Sequence, residues 1–138
     1  MKKRLFVWLM AVASFLLLTS APARAAVDVV SWLDVPATTL SGEPATVEQI
    51  RKAFLVGGAR RGWQFVDDGP GKLVGTVIVR SHTLKMQVEI APGKYSLRYL
   101  DSVNLDYEVV DGKPRIHRSY ERWNAYLQQE VRAELLRL

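Results

Sequence analysis

A chain of 138 residues without cysteine has room for little more than one domain, and it can form neither a disulfide nor a thiol nucleophile nor a lipidated lipobox. Its formal charge of +5 is weighted toward the first residues. Lys2, Lys3, Arg4 and Arg24 carry four of the 19 basic residues, so the remainder balances 15 against 14, or +1, which argues against the clustered cationic surface that nucleic-acid binding needs.

Those first residues read as a secretory signal peptide. Lys2–Arg4 form a basic start, Leu5–Leu18 an almost unbroken apolar run, and Ala23-Arg24-Ala25 a small-x-small cleavage site. The run is shorter than the roughly 20 residues of a spanning helix, which favours removal over a lasting membrane anchor. Residues 1–25 are therefore expected to be cleaved, leaving 138 − 25 = 113 residues in a periplasmic protein with no stable membrane anchor.

Beyond the leader, residues 26–45 hold a strand over Val27–Val35, at an edge or in an ordered arm, and a Ser, Gly and Pro loop after Pro36. Residues 46–138 read as a single α+β domain. Thr46 and Gln49 form a capping box that opens a helix with Val47, Ile50, Ala53, Phe54 and Gly57 on one face. Arg60 and Arg61 suit its negative end, and Gly62 stops it. Trp63–Val66 is a short strand, and Asp67-Asp68-Gly69-Pro70-Gly71 is a turn that lacks the spaced ligands of a calcium loop. Leu73–Val79, apolar on both faces, reads as a central strand. In the next strand His82, Leu84, Met86, Val88 and Ile90 alternate with Thr83, Lys85, Gln87 and Glu89.

After a turn at Ala91–Lys94 comes the longest alternating stretch, Tyr95–Val110. Tyr95, Leu97, Tyr99, Asp101, Val103, Leu105, Tyr107 and Val109 share one parity, with Ser96, Arg98, Ser102, Asn104, Asp106 and Glu108 on the other. Its extended length of about 50 Å requires a break, expected at Asp101–Asn104. Asp111–Pro114 is the next turn. Ser119 is the expected N-cap of a final helix whose stripe is Tyr120, Trp123, Leu127, Val131, Leu135 and Leu138. The elements predict a two-layer α+β sandwich in which an antiparallel meander carries both helices on one face. Lys85, Gln87, Arg98 and Asn104 are left on the other.

Pairing Ile90 with Tyr95 sets Met86 opposite Tyr99, Leu84 opposite Asp101 and His82 opposite Val103. That register makes His82 and Asp101 diagonal neighbours on the buried face. One reading is structural, since a buried carboxylate needs partners. The other is a small hydrolase using His82 and Asp101, with Ser102 or Ser119 as nucleophile, although Ser102 lies on the wrong parity unless the bend rotates it. No nucleophile elbow or paired-histidine zinc motif is present. His82, His117 and Asp101 are too scattered for a zinc site, so no metal or cofactor is expected.

The pattern Tyr95-Ser96-x-x-Tyr99-x-Asp101-Ser102-x-Asn104-Leu105-x-Tyr107, followed by Ile116-His117-x-x-Tyr120-x-x-Trp123, resembles one in small exported proteobacterial proteins and lipoproteins of unassigned function. The resemblance implies a Gram-negative envelope location and carries no catalytic residue with it. The expectation is a non-enzymatic binding or accessory module that meets an envelope protein, peptide or glycan. Tyr95, Tyr99, Asp101, Asn104, His117, Tyr120 and Trp123 would knot the last helix onto the sheet.

Overall fold

A computed structural model describes residues 26–138, and the expected leader, residues 1–25, lies outside the described residues. The domain is α+β, with two antiparallel sheets and two helices. Strands β1 (Ala26–Asp28), β2 (Trp32–Pro36), β3 (Trp63–Asp67), β4 (Lys72–Val79), β5 (His82–Ala91), β6 (Lys94–Val103), β7 (Glu108–Val110) and β8 (Lys113–His117) join helices α1 (Val47–Ala59) and α2 (Ser119–Leu135). The larger sheet has the order β2-β6-β5-β4-β3 and the smaller one β1-β8-β7.

Helix α1 starts as its sequence dictates. The Gln49 N–H donates to Thr46 Oγ1 at 3.1 Å and the Thr46 N–H donates back to Gln49 Oε1 at 2.9 Å, which satisfies two of the free amides of the first turn. Ile50, Ala53, Phe54 and Gly57 are buried as the period requires. Gly57 lets the helices touch, since a Cβ there would stand 2.9 Å from the Glu130 backbone of α2. Arg60 and Arg61 lie just past the helix end and do more than terminate it. Arg60 pairs with Glu130 and Glu134, Arg61 pairs with Glu130, and the Arg61 guanidinium lies 4.6 Å above the Tyr126 ring.

Residues 68–71 form the turn, and the Arg51 guanidinium grips Asp67, the last residue of β3, with two contacts of 2.8 Å. Those hydrogen bonds hold its carboxyl below the usual carboxylate range.

One meander was expected, and two sheets are found. The strand expected over Val27–Val35 is split: β1 pairs with β8, while β2 pairs with β6. The long stretch after Lys94 is split as well, β6 staying in the large sheet and β7 joining the small one. The chain thus crosses between sheets twice at one end of the molecule, at residues 29–31 and 104–107. Leu105, buried in the second crossing, accepts a hydrogen bond from the His117 N–H at 2.9 Å. Strand β4 lies inside the sheet but does not bury both faces, because Ile78 is exposed on the side away from the helices. Leu84, Met86, Val88, Leu97, Phe54 and Leu127 form the centre of the core.

Ser119 does not cap α2 with its side chain. Residue 119 opens the helix, and its N–H donates to Nδ1 of His117 at 3.1 Å, so the imidazole supplies the cap. This bond requires Nδ1 to be unprotonated, which puts the proton of the neutral ring on Nε2.

Candidate functional site

The β5–β6 register begins as the sequence predicts and then slips. Ile90 pairs with Tyr95 and Met86 with Tyr99, but Lys85 pairs with Asp101 and Leu84 with Ser102. Leu100 is therefore an extra residue, a β-bulge, and beyond it the parity of the strand reverses. Asp101 faces solvent beside Lys85, and Ser102 turns to the side of Leu84. The expected burial of Asp101 is overturned by that one residue.

The bulge also removes the expected His82–Asp101 contact. His82 shares a face with Leu84 and Met86, and Asp101 shares the opposite face with Lys85. His82 Nδ1 lies 2.5 Å from the carbonyl oxygen of Asn104, which can only accept, so Nδ1 carries the proton. Asp101 Oδ1 accepts from the Ser102 N–H at 2.8 Å. Ser102 Oγ, the candidate nucleophile, is 2.7 Å from the Tyr99 hydroxyl. Base, acid and hydroxyl therefore do not converge. Asn104 also leaves the open sheet face where it was expected. It sits in the crossing with φ of 57° and donates from Nδ2 to the Ser81 carbonyl at 2.9 Å, fastening the crossing to the β4–β5 turn.

Tyr99 and Tyr120 form the centre of a knot from which Asp101 is excluded. Tyr120 is fully buried, donates to the Val30 carbonyl at 2.5 Å and packs 5.6 Å from the Trp32 ring. Tyr99 meets Tyr120 edge-on at 6.1 Å, and the half-buried Trp123 lies 6.5 Å from His82. Tyr95 stands apart, edge-on to Phe54 at 5.0 Å with its hydroxyl donating to Gln128 Oε1 at 3.0 Å. Burial raises the phenol pKa of Tyr95, Tyr99 and Tyr120 above the ordinary tyrosine value. These contacts join helix α2, strand β6 and the N-terminal crossing.

Where β6 leaves the large sheet, the knot opens into a hollow of about 600 Å³ that faces solvent. Its floor is a tyrosine stack: Tyr99 and Tyr107 lie with ring centroids 4.8 Å apart and planes within 7°. Leu100, Asp101, Ser102, Asn104, Leu105 and Asp106 complete the lining. The sequence pattern places Tyr99, Asp101 and Asn104 among the binding residues and leaves out Leu100, Ser102, Leu105, Asp106 and Tyr107. One signal for them was legible, since residues 99–112 contain Asp101, Asp106, Glu108 and Asp111 and no Lys or Arg.

The sequence pattern does not mark one further buried polar residue. Asn124, wholly inaccessible, lies on the α2 stripe between Tyr120 and Leu127; Nδ2 donates to the Tyr120 carbonyl at 2.8 Å and approaches Met86 Sδ at 3.7 Å, while Oδ1 has no partner. Comparison with protein-family models, curated proteins and solved structures finds no match.

Proposed function

We propose that this chain is a non-enzymatic binding or accessory module of the cell envelope, exported by its leader and released near Ala26, and that the Tyr99–Tyr107 hollow is its contact surface. The leader pattern Lys2–Arg4, Leu5–Leu18 and Ala23-Arg24-Ala25 supports export. No helix among the described residues is long and apolar enough to cross a membrane. The resemblance of the tyrosine pattern to exported proteobacterial proteins points the same way.

The tyrosine stack carries the reading. Tyr107 is 44 % exposed although its ring is already ordered against Tyr99, so a ligand meets a rigid aromatic surface at small entropic cost. The hydrolase reading has no comparable support, because His82 and Asp101 stand on opposite faces of the sheet.

The test is retention of envelope components on immobilised protein, wild type against Tyr107→Ser. A component held by the wild type and lost by the variant, at a melting temperature within a few degrees of wild type, supports the proposal. Retention that ignores Tyr107, or no retained component, overturns it.

A further inference from the structure

The hollow offers an aromatic surface and brings no positive charge of its own. Tyr107 lays one side of its ring on Tyr99, and beside it Leu100 is 46 % exposed, so apolar surface here is left uncovered. Between Arg98 and Lys113 the formal charge is −4. None of these four carboxylates forms an ion pair among the described residues, whereas seven of the other ten acidic residues do. Arg115, across from Glu108, is held by Asp28 at 2.6 Å, and Lys85, the base across the strand from Asp101, lies outside the lining of the hollow.

An exposed tyrosine face beside unpaired carboxylates attracts an organic cation, through the ring quadrupole and through charge. The protein makes the same contact internally, with Arg61 over Tyr126. A metal ion fits less well, because it needs several converging ligands and no group of three or more His, Cys, Asp or Glu able to hold one occurs among the described residues.

We infer that the hollow docks a basic peptide segment. An Arg or Lys side chain of the partner lies over the outer face of Tyr107, its charge is shared by Asp101 and Asp106, and an adjacent apolar side chain covers Leu100. This inference rests on the binding-module reading and adds the chemistry of the partner. Because the hollow is open to water, the contact is salt-sensitive.

The test titrates the full described protein, labelled with ¹⁵N, with acetyl-Ala-Leu-Arg-Ala-Arg-amide and with the same peptide carrying citrulline for arginine, which keeps the shape and removes the charge. Saturable amide shifts confined to residues 99–107 are expected. Affinity should fall roughly tenfold with citrulline, with the Asp101→Asn/Asp106→Asn protein, and on moving from about 0.05 to about 0.3 M salt. Equal binding of both peptides, shifts at another surface, or no shifts overturn the inference. So do the same shifts produced by a chito-oligosaccharide without peptide binding, or by raising protein concentration alone, which would make the occupant a glycan or a second copy. If neither peptide binds while retention of an envelope component still depends on Tyr107, the binding module stands and only the partner chemistry fails.

Discussion

The hydroxyls of Tyr99 and Ser102 meet at 2.7 Å although the two residues are three apart on one strand. In a regular strand they would point to opposite faces; the extra residue Leu100 brings them to the same one. The same inserted residue sends Asp101 outward, ends the pairing of the strand with its sheet soon afterwards, and opens the hollow beside the crossing.

Stability should follow this geometry. Asp101→Asn, at an exposed position, is expected to change unfolding free energy by no more than about 0.5 kcal/mol. Tyr99→Phe removes a half-buried hydrogen bond and should cost about 1 kcal/mol. Urea denaturation of the two variants checks the order, and a larger loss in Asp101→Asn would restore the buried carboxylate.

Asn124 is a second point of leverage. Its Oδ1 is buried without a partner, so the core carries the desolvation of an acceptor and gains no bond from it. Replacing it with a side chain of similar size, Asn124→Leu, is expected to stabilise the protein by about 1 kcal/mol, read as a melting temperature several degrees higher. A clear drop would show that the contacts to the Tyr120 carbonyl and Met86 Sδ outweigh the orphaned oxygen.

Phe65 lies in a slot between two glycines. A Cβ at Gly75 would stand 2.2 Å from its Cε1, and one at Gly58 would stand 2.5 Å from its Cε2, on the other side of the ring. Gly75→Ala should destabilise by about 1–3 kcal/mol through overpacking, and Phe65→Leu in the same chain should recover part of the loss. Additive losses in the double variant would contradict the slot.

Alkaline pH gives a fourth test. Tyr95 and Tyr120 are raised above the ordinary phenol value by burial, so the folded protein keeps protons that the unfolded chain releases. Stability from this source is complete below about pH 10 and declines as pH rises from there toward the folded-state values. Urea midpoints measured across that range should fall, and Tyr95→Phe should flatten the fall.

Much of this arrangement is legible in the sequence. The Thr46–Gln49 box, the Pro92-Gly93 turn and the pairing of Ile90 with Tyr95 all follow from local chemistry, because each is satisfied within a few residues. The split of the two long stretches between sheets was not, since the partners of β1 and β7 lie on β8 and a strand pattern does not name its partner. The bulge left a trace that could have been read. Leu100 is an apolar residue on the wet parity and Asp101 a charged one on the apolar parity, adjacent and exchanged, as a one-residue slip requires. Asn124 was masked for a related reason: the stripe was drawn through Trp123, whereas the buried row passes through residue 124.

Cross-strand nuclear Overhauser contacts between β5 and β6 test the central claim most directly. Close proton contacts pairing Lys85 with Asp101 and Leu84 with Ser102, alongside Met86 with Tyr99, are the expected result. Contacts pairing Leu84 with Asp101 and His82 with Val103 would put the carboxylate back inside, and the wall of the hollow would no longer exist.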